Sequence, residues 1–167
     1  NPLKFGRISR ERGFAEAARS LWQKEKFDLV QSHERIPGCD IYRAGDGVHR
    51  RWLLQRARLL PVWRRKWLFS NRYHRYVMCA ERAMYAAPEL KAVICNAEMI
   101  KQEIIDDFGV PADKITVIYN AIDNQKFQPA NAELRRQLRQ QYQIPQQAHC
   151  LIFVGSGFER KGLAAAI

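Results

Sequence analysis

Short apolar runs rich in β-branched and aromatic residues recur along the chain, and after the first two, which a turn at Pro37-Gly38 separates, each is divided from the next by a segment long enough for a helix. They are FDLVQSH from Phe27, IYRA from Ile41, KAVIC up to Cys95, KITVIY up to Tyr119 and HCLIFVG from His149. Strands separated by helix-length connections pair in parallel, and a parallel sheet needs those helices to cover its faces. The alternation therefore predicts an α/β fold with mostly parallel strands. It also gives each strand a C-terminal end, where such sheets present groups to ligands.

The first strand is expected over the apolar residues Phe27, Leu29 and Val30, with Ser32 and His33 at its polar end, and the second over Ile41 to Ala44, ending at Asp46. The third is expected over Ala92 to Cys95, the fourth over Ile115 to Tyr119, and a last one in HCLIFVG. Helical spacing of Phe14, Ala17, Ala18, Leu21 and Trp22 predicts an amphipathic helix over 8–25, and residues 49–87 should hold two or three more. Tyr73, Tyr76, Val77, Ala80 and Met84 give the last of these an apolar face. Asn96 is a candidate cap for a helix carrying Ile100, Ile104 and Phe108, which Gly109 and Pro111 should end. Leu134, Leu138 and Tyr142 predict a further helix before Pro145.

Lys and Arg number 28 against 17 Asp and Glu, a net charge of +11, so an acidic partner is expected. The four cysteines, Cys39, Cys79, Cys95 and Cys150, form no C-x-x-C pair and read as reduced core thiols of a cytosolic protein. No apolar run reaches membrane-spanning length, and the first twenty residues lack the core of a signal peptide.

The positive charge is concentrated. Between His49 and Tyr76 stand Arg50, Arg51, Arg56, Arg58, Arg64, Arg65, Lys66, Arg72 and Arg75, with no acidic residue among them. Trp52, Trp63, Trp67, Phe69, Tyr73 and Tyr76 are interleaved. Cations beside interfacial aromatics suit a helix lying on an anionic bilayer, and each cation near that surface is worth about 1 kcal/mol. Residues 49–76 could equally give a nucleic-acid-binding α/β domain, through phosphate contacts and base stacking, but no nucleic-acid motif accompanies them. A solvated cationic face would leave three tryptophans exposed without a reason.

Three further features carry chemistry. In VGSGFERKG, Gly155 and Gly157 allow close backbone approach to a phosphate, and Arg160 and Lys161 add two cations. The same residues could form a plain turn between strand and helix. Asp46 ends the second strand, where a carboxylate can accept a proton from an incoming hydroxyl, although AGDG is also a turn sequence. His33 and Glu34 end the first strand and could line the same pocket or be structural.

The series ICNAEMIKQEIIDDFGVPADKITVIYNAIDNQKFQP, then LRRQLRQQYQIP, then LIFVGSGFERKG resembles the interdomain region of family 4 glycosyltransferases of the GT-B fold. IPGCDIYRAGDGVHRRWL and SNRYHRYVMCAERAMY are similar to the members of that family that add glucose from UDP-glucose to an inner-core heptose of lipopolysaccharide. The resemblance implies a partial GT-B fold of Rossmann-like parallel sheets with flanking helices, both domains incomplete. Residues 1–119 would be the C-terminal part of the acceptor domain, and residues 120–167 the hinge and the start of the donor domain. On this resemblance the sequence is expected to be an internal piece of a longer enzyme, inactive alone, whose uncovered faces could make it oligomerise.

The resemblance further implies a retaining transfer without metal or bound cofactor, UDP-glucose being a co-substrate and the lipopolysaccharide core the acceptor. Arg160 and Lys161 would stabilise the departing diphosphate, Asp46 would lie near the acceptor hydroxyl, and the basic segment would dock at the cytoplasmic face of the inner membrane. One departure concerns the hinge. Ala121 in Asn120-Ala121-Ile122-Asp123 stands where the family usually has glycine, so the backbone there must avoid or tolerate a positive φ.

Overall fold

The computed structural model describes residues 6–155, 157–158 and 161–167. The chain divides into two units, Asn1–Asn120 and Ala121–Ile167.

The first unit runs α1 (Gly6–Glu25), β1 (Gln31–Ser32), β2 (Ile41–Ala44), α2 (His49–Arg58), α3 (Val62–Ser70), α4 (Arg72–Tyr85), β3 (Ala92–Cys95), α5 (Glu98–Phe108), a 3₁₀ turn (Ala112–Lys114) and β4 (Ile115–Val117). Its four strands form one parallel sheet in the order β1-β2-β3-β4. The alternation of the sequence becomes an alternation of faces: Tyr42, Ala44, Val93 and Cys95 point into the core. Against them pack Met84 of α4 and Ile100 and Ile104 of α5, all buried. Phe108 stacks on Tyr85 with ring centroids 4.5 Å apart, and Gly109, at φ 66°, caps α5 in the left-handed conformation.

β1 is shorter than expected, and Phe27 and Leu29 are exposed. The register pairs Gln31 with Ile41, so residues 27–30 face the turn through Pro37 and Gly38, which offers no ladder to join. Only Val30 is tied down: its amide donates to Asp40 Oδ2 at 2.9 Å and its carbonyl accepts from the Asp40 and Ile41 amides. β4 stops at Val117, although the Ile118 amide still donates to the Cys95 carbonyl.

α1 also departs from its pattern. Phe14 and Leu21 are exposed, and the partly covered face is that of Ile8, Glu11, Ala15, Ala18 and Trp22. On that face the Tyr73 hydroxyl of α4 donates to Glu11 Oε1 at 2.9 Å and Trp22 packs against the core. Of the cysteines, Cys39 and Cys95 are buried, while Cys79 and Cys150 are exposed free thiols. They lie on the outer side of α4 and in a loop, where no core reaches them.

In the second unit α6 (Ala132–Gln141) is capped by Asn131, whose Oδ1 accepts from the Leu134 amide at 2.8 Å. α7 (Leu163–Ala166) comes after Gly162. The strand expected in HCLIFVG does not form: residues 149–154 have no strand assignment, and Leu151 and Val154 are exposed. A strand exists only through a neighbour, and the described residues of this unit contain no other strand. The Asn120 to Asp123 turn avoids a positive φ at Ala121; among the described residues only Lys26 and Gln143 adopt one without being glycine. Asp123 Oδ1 shapes the next turn of the chain, accepting from the Gln125 and Lys126 amides at 3.0 and 3.3 Å. No described helix is long and apolar enough to cross a membrane.

Candidate active site

The C-terminal edge of the sheet brings His33, Glu34 and Asp46 together. They line one pocket of about 240 Å³ with Arg35, Tyr42, Arg43 and Gly45. Each comes from a strand end. Past β1, the chain turns because the buried Ser32 hydroxyl donates to the Glu34 carbonyl at 2.8 Å and accepts from the Glu34 amide at 3.1 Å. Gln31 Nε2 and His33 Nε2 lie 3.0 Å apart, which orients the imidazole.

Asp46 sits on the β2–α2 turn, exposed to solvent. Asn96 fixes that turn. Instead of capping α5, where Ala97 takes the cap position, Asn96 donates from Nδ2 to the Gly45 carbonyl at 3.0 Å. From the far side, Arg43 Nη2 donates to Asn120 Oδ1 at 3.2 Å. Thus the ends of β2, β3 and β4 are tied to one another beneath the pocket.

The start of α2 would ordinarily offer free amides to an anion. Here two internal carboxylates occupy them. Val48 N donates to Glu103 Oε2 at 3.0 Å and His49 N donates to Glu81 Oε2 at 3.1 Å. Glu81 is 2% exposed and also accepts from Arg35 Nε at 3.1 Å. Burial raises its carboxyl above the usual range, and the Arg35 guanidinium opposes that rise. Gly47 belongs to the same arrangement, because a Cβ there would meet Glu103 Oε2 at 3.1 Å. Two of the amides at the helix terminus beside Asp46, those of Val48 and His49, are therefore already taken by carboxylates.

Behind the pocket, His49 Nε2 and His74 Nδ1 approach to 3.1 Å, with the Trp52 ring 5.5 Å from that of His49. Burial, with Arg35 and His74 close by, pushes the His49 pKa down to about 4.

The basic segment separates into two populations. Arg51 is turned onto α5, its Nε and Nη2 donating to Asp107 at 2.9 and 2.7 Å, and Trp52 is only partly exposed, with Arg56 over its ring at 5.5 Å. Arg50 lines a groove between α2, α4 and α5. By contrast α3 buries none of its residues: Trp63 and Trp67 are 63% and 77% exposed, and Arg58, Arg64, Arg65 and Lys66 are exposed beside them. The exposed tryptophans are thus two, not three.

In the second unit Gly155, Gly157 and Gly162 all have positive φ, at 138°, 74° and 75°. Lys161 folds its side chain back over Gly155, leaving no room for a Cβ there. Its amide donates to the Gly157 carbonyl at 3.0 Å, closing the loop. Arg160 lies outside the described residues. α7 is too short for its N-terminus to add much to an anion site.

The family model described as Glycosyltransferase Family 4 matches residues 1–126, which include every strand among the described residues and the whole Asp46 pocket. The chain belongs to that family. The Family 4 match ends before the glycine loop at Gly155. Among solved structures, a crystal structure of WaaG, a glycosyltransferase involved in lipopolysaccharide biosynthesis, is similar over 99% of this chain and 43% of its own, at 20% identity and a TM-score of 0.71. That likeness establishes the fold, the partial GT-B architecture implied by the resemblance, and this Family 4 chain spans 43% of the WaaG chain's length. No curated protein sequence matches.

Sequence reasoning missed Asn96 as the tie of the Asp46 turn, and Glu81 and Glu103 as the groups that fill the α2 terminus. Glu81 alone gave a signal, as the first acidic residue after a long basic stretch on an otherwise apolar helix face.

Proposed function

We propose that this chain supplies the acceptor side and the hinge of a glycosyltransferase that moves a hexose, glucose from UDP-glucose, to the core of lipopolysaccharide. The observation that carries the reading is the convergence of Asp46, His33 and Glu34 on one pocket at the C-terminal edge of a parallel sheet in a Family 4 chain. Asp46 would accept the hydrogen bond of the attacking acceptor hydroxyl and draw off its proton as the bond to the sugar forms. His33 and Glu34 would hold neighbouring hydroxyls. Lys161, with Arg160, would offset the negative charge that gathers on the departing nucleoside diphosphate in place of a metal ion, and retention would require the hydroxyl to attack from the face that the diphosphate leaves.

The whole enzyme would work at the cytoplasmic face of the inner membrane, with α3 as the docking element. Trp63 and Trp67, one turn apart and ringed by Arg64, Arg65 and Lys66, have the make-up of a helix that rests at a lipid interface.

Two measurements on the whole enzyme test this reading. Asp46→Asn should lower transfer by about a hundredfold or more while leaving donor binding intact, as expected for loss of a general base. Transfer within threefold of the parent would remove Asp46 from the mechanism. Sedimentation with phosphatidylglycerol vesicles should fall about tenfold for the Trp63→Ala, Trp67→Ala double variant. Equal sedimentation with neutral vesicles would exclude docking by charge.

A further inference from the structure

A second and larger cavity adjoins the Asp46 pocket. It has a volume of about 470 Å³ and runs between α1 and α4 over the loop after β1. Glu34 and Arg35 line both cavities, so the two are halves of one groove with those residues as the sill. Resting on the acceptor reading above, we propose that the α1–α4 half holds the sugars next to the reacting one in an oligosaccharide acceptor, and that Arg10 binds an anionic substituent on them.

The lining has the chemistry of a saccharide site. Tyr76 offers aromatic surface to sugar C–H faces and Glu34 offers a carboxylate to hydroxyls, while Tyr73 and Glu11 are bound to each other and to Arg7 as part of the wall. The volume lies within the range of small-ligand sites. The cations are in different states. Arg7 sits 3.8 Å over the Tyr73 ring centroid with its Nε donating to Glu11, and Arg35 donates to the buried Glu81. These two hold the walls in place. Arg10 reaches the same cavity and has no hydrogen-bond or ion-pair partner among the described residues. A phosphate or carboxylate on the acceptor would give that guanidinium a bidentate partner. Phe14, exposed on α1 although it belongs to the helix's apolar stripe, lines the same cavity and would be covered by the bound chain.

The test uses the whole enzyme and three acceptors: a phosphorylated trisaccharide, its dephosphorylated counterpart and a simple monosaccharide glycoside. Arg10→Ala should raise KM for the phosphorylated trisaccharide about tenfold at unchanged kcat, the size of one charge-assisted contact, and leave the monosaccharide KM within twofold. An unchanged KM for the phosphorylated acceptor overturns the proposal, and so does an equal loss on all three. Calorimetric titration of the phosphorylated and dephosphorylated trisaccharides reads the groove without turnover. Tighter binding of the phosphorylated form, lost in Arg10→Ala, upholds the groove even in an enzyme that transfers nothing, in which case the acceptor reading alone fails. Should Arg10→Ala instead weaken only vesicle binding, the groove is a membrane contact and the proposal is wrong.

Discussion

His49 should make the first unit acid-labile. It opens α2 with its ring 5.2 Å from that of His74 and 5.5 Å from that of Trp52, while Arg35 and Arg7 bear on it from β1's loop and from α1. Burial is the largest cause that lowers its pKa to about 4, then Arg35, His74 and Arg7, with Glu11 opposing them. In the unfolded chain the same imidazole titrates near 6.5. The folded value is the lower one, so the unfolded state binds the proton more readily. The stability due to neutral His49 is therefore full above pH 6.5 and is lost as pH falls toward 4. Because the ring is only half buried, solvent screening reduces the full gap, and about 1–2 kcal/mol is expected by pH 4.5. His49→Gln keeps a polar side chain at the position and removes the titration. Urea unfolding at pH 7 and pH 4.5, monitored by tryptophan fluorescence and circular dichroism, measures the effect. The variant should lose about 1–2 kcal/mol less than the parent between the two pH values, because the many carboxylates that also titrate are common to both. Equal losses in parent and variant would refute the reasoning, since the His49–His74 contact would then not require a neutral ring.

Two other substitutions separate packing and positioning. Ile104 is 0% exposed at the centre of α5, and Ile104→Ala should cost about 3 kcal/mol in the same unfolding assay, through lost burial and the cavity left behind. Asn96→Ala should lower transfer by the whole enzyme about tenfold through a loosened Asp46 turn, at a stability cost of about 1 kcal/mol, the worth of one hydrogen bond. An unchanged rate would show that the turn holds its shape without Asn96.

The parts of the fold legible in the sequence were those with two neighbours. β2 and β3 lie inside the sheet, bury alternate residues on the core face, and occupy the residues that the apolar runs marked. Runs at the margins misled. FDLV and LIFV share Phe, Leu and Val, yet the first faces a turn and the second has no partner strand among the described residues, so neither forms a ladder. Composition measures how well a residue suits a strand, and pairing decides whether there is one. Asp46, His33 and Glu34 were legible for a related reason, because a polar residue that closes an apolar run lies at a strand end by construction. Asn96 was misread because an Asn just before a helix fits a cap and a bridge equally well, and the choice depends on where Gly45 lies.

The sequence by itself determined the α/β alternation, the parallel pairing, the polar ends of the strands and the concentration of charge in residues 49–76. All of these arise from local pattern and chain connectivity. Only the tertiary structure decided which groups meet. Glu81 and Glu103 reach the α2 terminus across 32 and 55 residues of chain, and Arg51 finds Asp107 across 56. Such pairings depend on helix rotation and packing distance, which no local spacing encodes. They separate charges that hold the fold, as in Arg35 and Arg51, from a charge without a described partner, as in Arg10.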